Sequence, residues 1–233
     1  MRRLILALLL AATAPVAAAG AEDFPYGDTL RFAVHRNGEP IGSHVLSFRH
    51  EGDKRIVSTT IDFSVKVLGV TAYRYTHRGN EVWTGGALQS LDARTDDNGK
   101  QYTVNARHQG GPLVVVRESS DTVVKTMFND QGLQKPEPVR ETLPANLLPS
   151  THWNVNQVRQ SSLLNTQYGT ISRTQITPIG REKVKTASGT VEATHYRYSG
   201  DITLDQWYDD RGRWVKAAFK AFDGSTIEYI LQE

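Results

Sequence analysis

The chain has 233 residues, among them 27 Lys and Arg, 25 Asp and Glu, and no Cys. This near balance of charge argues against a nucleic-acid-binding protein and against a broadly cationic membrane-surface protein, because both need a basic excess. The absence of Cys excludes disulfides, thiolate zinc sites and cysteine nucleophiles, so a hydrophobic core must supply the stability.

The N-terminal segment has the pattern of a secretory signal peptide over residues 1–21. Two arginines precede an apolar run at 4–14, and small residues follow it. We predict cleavage after Ala19 or Ala21 and a single mature β domain over residues 22–233. The apolar run is too short to span a bilayer, and no Cys follows to accept a lipid. The expected location is the periplasm or the cell exterior, with no membrane anchor.

Alternation of apolar and polar residues with a period of two dominates the mature chain. It is longest over residues 57–67 and recurs more briefly at 30–34, 73–75 and 227–231. The positions of the long strand predicted to share one buried face are Val57, Thr59, Ile61, Phe63, Val65 and Val67. A strand at the upper end of the usual ~3 to 10 residues favours a curved sheet that wraps around an interior.

Glycine-containing turns separate these strands. They are Asn37-Gly38, Leu68-Gly69, Asn98-Gly99, Arg211-Gly212 and Asp223-Gly224. Such pairs tolerate positive φ and are typical of hairpins, so we predict about ten to twelve strands, most of them joined to the next by a short turn. The predicted fold is mainly β, an antiparallel meander forming a curved sheet, half-barrel or barrel, with one short covering helix.

One segment interrupts the alternation. Four prolines fall between Lys135 and Pro149, which fits either an ordered lid or a mobile loop. Ser150 then has the residue type of a helix N-cap, and we predict a short helix from there to about Leu164, before Gly169. A single helix midway through a meander is well placed to cover the open side of a curved sheet.

The C-terminal part carries the segments on which a family resemblance rests. They are Trp207-Tyr208-Asp209, Gly212, Trp214-Val215-Lys216, Asp223-Gly224-Ser225, Ile227 and Tyr229, together with Glu81-x-Trp83 and Thr151-His152-Trp153. With them the chain resembles a bacterial family of exported all-β proteins that has no assigned activity. It is also similar, more remotely, to the periplasmic lipoprotein-carrier proteins. That second resemblance implies an open half-barrel closed by helices over an apolar cavity, although one helix is predicted here where the carriers use several.

Sequence motifs of catalysis and cofactor binding are missing. The chain has no G-x-S-x-G elbow, no H-E-x-x-H, no P-loop and no G-x-G-x-x-G. The acidic turn 96–99 fails as a calcium loop, because Arg94 would stand at the first ligand position and Asn105 at the last. We therefore predict no cofactor and no metal, and interpret 96–99 as a polar hairpin turn.

The seven histidines are the remaining candidates for acid-base or metal chemistry, and His35, His44 and His50 fall on the predicted adjacent strands of the first hairpin. With a turn near residues 37–40, His35 would lie opposite Gly42 and diagonal to His44, a conceivable strand-borne metal site. His35 is, however, out of phase with the apolar residues before it, which predicts a solvated side chain. His152 stands at the predicted helix start, where it would serve as a cap, as a core hydrogen-bonding group, or as part of an anion site.

Aromatic residues spread through the predicted strands and helix suggest an internal cavity. In a curved sheet, inward aromatics line an apolar space and place phenol or indole groups at its rim, although ordinary core packing is the alternative for each of them. The candidate lining residues are Phe63, Tyr73, Tyr75, Trp83, Tyr102, His152, Trp153 and Trp207.

Three functions remain open at this point. The first is a non-enzymatic exported protein that binds an apolar or amphipathic ligand, such as a lipid, in a curved-sheet cavity. The second is a cofactor-independent hydrolase in which carboxylates and His152 meet in the same cleft. The third is an envelope assembly or interaction module without a ligand, which pairs with a protein partner through exposed strand edges.

Overall fold

The computed structural model describes residues 24–120 and 137–232. The predicted leader 1–21 and residues 135–136 of the proline-containing segment lie outside these ranges. The described residues form fifteen strands and one 3₁₀ helix. The strands are β1 (Thr29–Arg36), β2 (Glu39–Glu51), β3 (Lys54–Val67), β4 (Val70–Thr84), β5 (Ala87–Asp97), β6 (Lys100–His108), β7 (Leu113–Ser119), β8 (Val139–Leu143), β9 (Leu148–Pro149), β10 (Ser162–Leu164), β11 (Ile171–Thr186), β12 (Gly189–Gly200), β13 (Leu204–Asp209), β14 (Trp214–Lys220) and β15 (Thr226–Leu231).

All the strands belong to one sheet with the order β8-β7-β6-β5-β4-β3-β2-β1-β15-β14-β13-β12-β11-β10-β9. Neighbours are antiparallel except β9 and β10, which pair in parallel. Strands β1 to β8 form one meander and β11 to β15 a second, and the antiparallel pair β1 and β15 joins them. The prediction of a mainly β, curved antiparallel meander is confirmed.

Strand β3 shows how the alternation builds the interior. Val57 and Thr59 are buried, and Ile61 and Phe63 are half-buried on the same face. The predicted buried face ends before Val67, which is 55% exposed. The reason is that the β3–β4 hairpin runs several residues beyond the turn of β5–β6, so its tip has no neighbouring strand to cover it.

The predicted hairpin turns are confirmed. Asn37, Leu68 and Asn98 adopt φ of 49°, 52° and 51°, each followed by a glycine with positive φ. Gly212 and Gly224 also have positive φ, at 75° and 80°. Asn and Gly at these positions relieve the clash that other side chains meet in the left-handed region.

The predicted helix is much shorter than expected. A 3₁₀ helix covers only Val155–Arg159, and its N-cap is Asn154, whose side chain accepts a hydrogen bond from the Asn156 amide. Ser150 is not a cap, and the last residues of the predicted helix form β10. Ser162–Leu164 pairs with β11 because the buried Leu163 and Leu164 gain a strand partner there that an isolated helix lacks.

The two meanders meet through the loop 165–170, which we call the closing loop. Its Tyr168 packs edge-to-face on Tyr102 of β6, with ring centroids 5.0 Å apart. The Gly169 carbonyl accepts a hydrogen bond from Arg117 of β7 at 3.3 Å. A Cβ on Gly169 would lie 3.2 Å from Val104 of β6. These contacts hold the open, curved sheet in a barrel-like shape, although its edge strands β8 and β9 do not pair.

The two ends of this barrel differ. One end carries the turns 37–38, 68–69, 98–99 and 221–225 together with the closing loop, and we call it the mouth end. At the opposite, closed end the interior is filled by aromatic side chains. They are Phe24, Tyr26, Phe48, Trp83 and Trp153, of which all but the half-buried Phe24 are buried.

Candidate functional site

A cavity of about 340 Å³ lies inside the mouth end. Strands β2 to β5 supply one wall, the segment 150–152 and the closing loop supply another, and β14 and β15 supply the third. The lining residues are His44, Thr59, Ile61, Phe63, Tyr73, Tyr75, His77, Asp97, Ser150, Thr151, His152, Asn165, Thr166, Gln167, Tyr168, Ile202, Phe219 and Tyr229.

Sheet register places the polar groups of the first wall side by side. His44 pairs with Ile61, Ile61 pairs with His77, and His77 pairs with Thr95, so these side chains form one row across four strands on the inner face. Thr59 lies one inward position further along β3. It pairs with Gly79, and a Cβ on Gly79 would lie 3.5 Å from Thr59 Cβ and 3.4 Å from His77 Nε2.

Aromatic rings form the rim of the cavity. Phe63 stacks on Tyr75 with centroids 5.0 Å apart and lies 6.2 Å from Tyr73. The Tyr73 hydroxyl donates to Asp97 at 2.5 Å, and the Tyr75 hydroxyl donates to Gln167 of the closing loop at 3.0 Å. The rim therefore presents mainly aromatic surface, and its tyrosine hydroxyls are hydrogen-bonded to Asp97 and Gln167.

Several polar groups of the wall have no partner among the described residues. His44 is 3% exposed, and neither of its ring nitrogens makes a hydrogen bond, nor does the buried Thr59 hydroxyl. His77 also lies on this wall, and its Nδ1 is hydrogen-bonded to the Thr95 hydroxyl at 2.8 Å. Unpaired groups of this kind cost folding free energy, about 1 to 3 kcal/mol for each one that is fully buried.

The cavity histidines are uncharged at neutral pH. Burial lowers the pKa of His77 to about 4, with a smaller effect of Arg78, and burial alone lowers the pKa of His152 to about 4. Burial also holds the pKa of His44 well below its usual range, reinforced by His152 and His77. These rings therefore act as neutral hydrogen-bonding groups and not as cations.

His152 is held by a buried hydrogen-bond network. The Gln206 amide donates to His152 Nδ1, and the Tyr208 hydroxyl, 2.8 Å from the His152 carbonyl, also lies 2.5 Å from Gln206 Oε1. Because Nδ1 accepts, the ring carries its proton on Nε2. The core-hydrogen-bond interpretation of His152 thus fits its position, and the ring also lines the cavity.

The structure brings together four of the eight predicted lining residues. Phe63, Tyr73, Tyr75 and His152 line the cavity. Tyr102 is adjacent, packed on Tyr168 of the closing loop.

The other three predicted residues lie elsewhere. Trp83 and Trp153 pack edge-to-face in the closed end. Trp207 lies on the outer face, stacked on His195 with centroids 4.4 Å apart. Strand alternation explains its position, because its neighbours Gln206 and Tyr208 both point inward.

Trp83 and Trp153 surround a buried carboxyl group. Glu81 Oε2 accepts the indole N–H of Trp83 at 2.7 Å and that of Trp153 at 3.1 Å. Burial raises the pKa of Glu81, against the lowering effect of Thr151 and the two indoles. The Glu81-x-Trp83 segment of β4 and the Thr151-His152-Trp153 segment are therefore in direct contact with each other.

The register predicted for the first hairpin, with His35 opposite Gly42 and diagonal to His44, is wrong. A bulge between Val34 and His35 places Val34 opposite Gly42 and His35 opposite Pro40, while His44 pairs with Phe32. His35 points outward and bonds the Gly38 carbonyl, whereas His44 points inward. Within residues 24–120 and 137–232, no group of three or more metal-binding side chains is arranged around a common point.

Sequence reasoning missed most polar residues of the cavity, including His77, Thr59 as a wall residue, and Asp97. A signal for the inward orientation of His77, and of His44, was present. His44 is in phase with Leu46 and Phe48, and His77 is in phase with Tyr73 and Tyr75, which predicts both imidazoles on the inner face. No such signal exists for the closing loop, because its contacts depend on how the two meanders meet.

These features define a class of protein. It is a barrel-like β protein built from one mainly antiparallel sheet, with a cavity at one end that is lined by aromatic and polar side chains. The chain belongs to the family described as Domain of unknown function (DUF6134), whose model matches residues 32–232. The resemblance to an exported all-β family without assigned activity is consistent with this membership.

One solved structure is similar in fold. It is the crystal structure of a β-barrel-like protein of Domain of Unknown Function DUF1849 from Brucella abortus, with a TM-score of 0.57 and 11% sequence identity. The alignment covers 88% of this chain and 95% of that chain. At this identity the likeness concerns the fold alone. No curated protein matches the chain, and no helix in the described part is long and apolar enough to cross a membrane.

Proposed function

We propose that the protein is a non-enzymatic binding or carrier protein for a small amphipathic molecule held in the mouth cavity. The observation that carries this proposal is the set of unpaired polar groups on an aromatic wall. His44 and Thr59 present ring nitrogens and a hydroxyl group that have no hydrogen-bond partner among the described residues. A ligand with an apolar body and one hydrogen-bonding group would satisfy them.

The charge and size of the cavity narrow the ligand class. Its histidines are neutral, and the Asp97 carboxyl lies at the rim, so the geometry favours an uncharged polar group such as a hydroxyl, ester or amide. The volume of about 340 Å³ is at the lower end of the ~300 to 1,000 Å³ usual for ligand sites. A single acyl chain or small ring system fits this description better than a two-chain lipid.

The hydrolase alternative has less support. His77 and Thr95 form a histidine–hydroxyl pair, yet no carboxylate of the described residues bonds His77 to orient it. The interaction-module alternative also has less support, because the edge strand β8 presents Arg140 and Glu141, and charged edges oppose strand pairing. As a further part of the proposal, the predicted leader places the protein in the periplasm or outside the cell.

The direct test is native mass spectrometry of the exported protein, followed by solvent extraction and identification of what is released. A stoichiometric adduct with one apolar body is the expected result. A bare polypeptide mass, repeated after incubation with an envelope lipid extract, would overturn the proposal.

A paired substitution tests the role of the cavity wall. Thr59→Val removes a buried hydroxyl without changing the side-chain shape. We expect it to stabilise the empty protein by about 1 kcal/mol and to reduce the bound fraction of the adduct. The matched control is Thr60→Val, which makes the same change on the outer face of β3. Equal effects of the two variants on adduct binding would contradict the proposed site.

A further inference from the structure

The exposed apolar side chains of this protein are concentrated at the mouth end. Those on its hairpin tips, on the closing loop and at the start of β11 are Val67, Leu68, Val70, Tyr168, Ile171 and Phe222. In the rest of the described chain, large exposed apolar side chains occur at Val139 and Ile179. Single exposed apolar residues are ordinary, but this uneven distribution needs a physical reason.

Two of these side chains are completely exposed. Leu68 at the β3–β4 tip is 100% exposed, and Phe222 at the β14–β15 tip is 110% exposed relative to a reference residue. Neither gains anything from packing in the folded protein. Val67 and Val70 flank Leu68 and are 55% and 69% exposed.

The backbone conformation at position 68 makes a leucine there more unusual. The equivalent positions of two other hairpins, Asn37 and Asn98, hold Asn, which tolerates positive φ. Leu68 adopts the same φ of 52° without that tolerance. The β3–β4 tip therefore has an apolar side chain at a position where the local backbone favours Asn and where the Leu side chain is not packed against other residues.

Both tips lie beside the opening of the cavity. The ends of β3 and β4 nearest the Leu68 tip supply Phe63 and Tyr73 to the cavity wall, and the ends of β14 and β15 nearest the Phe222 tip supply Phe219 and Tyr229. Leu68 and Phe222 thus project from the same end of the barrel, on either side of the β1–β2 turn.

The charge around the tips is not repulsive to an anionic surface. Residues 64–74 contain Lys66 and Arg74 and no acid. The one acid beside Phe222 is Asp223, which is paired with Arg36 at 2.5 Å. The acids of the other mouth-end turns are Glu39 beside the β1–β2 turn and Asp96 and Asp97 before the β5–β6 turn, and they do not lie on the two apolar tips.

We propose that the mouth end docks on a lipid membrane with anionic headgroups, with Leu68 and Phe222 as shallow apolar anchors. The two anchors are separate convex points and not a continuous groove, which suits insertion into a deformable lipid phase better than a protein interface of ~1,000 Å² or more. One part of the inference rests on the proposed function, namely that docking would turn the cavity opening toward the source of its ligand.

The test is vesicle flotation of the chain from residue 22 onward, which lacks the apolar run that would bind bilayers by itself. Vesicles of phosphatidylethanolamine with phosphatidylglycerol are compared with phosphatidylcholine alone. We expect the protein to float with the anionic vesicles and the Leu68→Asn, Phe222→Asn double variant to lose about tenfold in partitioning. Ile179→Asn, an exposed apolar position away from the mouth, is the matched control and should float like the unmodified protein.

Failure of the unmodified protein to float, or equal flotation of the double variant, would overturn the proposal. Because the chain has no Cys, Leu68→Cys, Phe222→Cys and Ile179→Cys can each be labelled singly with an environment-sensitive dye. A blue-shifted, brighter signal on anionic vesicles at 68 and 222, and not at 179, is expected.

A vesicle-free measurement separates this inference from the proposed function. The double variant should bind a fluorescent single-chain amphiphile in solution as the unmodified protein does, because neither tip lines the cavity. Loss of flotation with retained amphiphile binding in that variant supports docking through the tips. Flotation of the unmodified protein without any amphiphile binding would remove the proposed function and leave the docking surface standing.

Discussion

Three histidines of the cavity wall link the stability of the protein to pH. Burial lowers the pKa of His77 and His152 to about 4, below the usual 6.5. The unfolded chain therefore binds protons that the folded chain does not, so stability is fully present above pH 6.5 and falls as the pH falls toward 4. The slope is ~1.4 kcal/mol per pH unit for each such histidine.

We expect His77→Gln to reduce this acid sensitivity. Free energies of unfolding from urea denaturation at about pH 7 and about pH 5 should differ less in the variant than in the unmodified protein, by ~1.4 kcal/mol per pH unit. Phe63→Leu, a change on the same wall without a titrating group, should lower both free energies of unfolding equally. Glu81 acts in the opposite direction, because burial raises its pKa. An unchanged slope in His77→Gln would show that another group takes up the proton.

Glu81 offers a second prediction for a single residue. Glu81→Gln keeps an oxygen that accepts both indole N–H groups and removes the cost of a buried charge, so stability should be equal or slightly higher. Glu81→Ala leaves the Trp83 and Trp153 donors without their acceptor and should cost ~2 to 5 kcal/mol. Urea denaturation near neutral pH measures both. A Gln variant as unstable as the Ala variant would contradict this account.

At the scale of one element, the β3–β4 hairpin holds a strained residue at its tip. Leu68→Asn should stabilise the protein by ~0.5 to 1 kcal/mol, because Asn tolerates the positive φ of this turn. Leu68→Ala keeps the strain and should give no gain. Thermal unfolding of the three proteins gives the comparison, and a Leu68→Asn variant less stable than the unmodified protein would mean that the leucine has a packing role.

Hairpins and strands of this chain could be predicted because their signals are local. Alternation over residues 57–67 and the Asn-Gly turns each specify backbone conformation within a few residues, and both are present in the structure. The helix proposed for 150–164 was wrong in extent because pairing of Leu163 and Leu164 with β11 is a tertiary contact. Four of the eight predicted cavity residues line the cavity; Trp207 does not because its position alternates outward.

For the whole molecule, the closing loop holds the two meanders in contact. Gly169 has φ of 67°, and a Cβ there would lie 3.1 Å from Arg117 Cβ and 3.2 Å from Val104. Gly169→Ala should therefore cost ~1 to 3 kcal/mol and weaken the contact between the two meanders.

The control for this change has the same backbone without the contacts. Gly110 also has φ of 67°, and nothing lies within 4 Å of its Cβ position. Gly110→Ala should show the cost of the backbone alone, ~1 kcal/mol. Urea unfolding gives both free energies of unfolding. Hydrogen exchange of β6 and β7 shows whether the contact between these strands and the closing loop is lost. Equal losses in the two variants would mean that the close approach of the closing loop contributes nothing.

The pairing of β1 with β15 determines how the barrel is assembled over time. Phe32 lies opposite Leu231, so the strands nearest the two chain ends meet in the middle of the sheet, while the sheet edges β8 and β9 come from the middle of the chain. Each meander can form from local hairpins, but joining them requires a contact between residues far apart in sequence, which slows folding. A chain interrupted before residue 226 would retain its hairpins and lack the joint between its halves, with the cavity between them left unfinished.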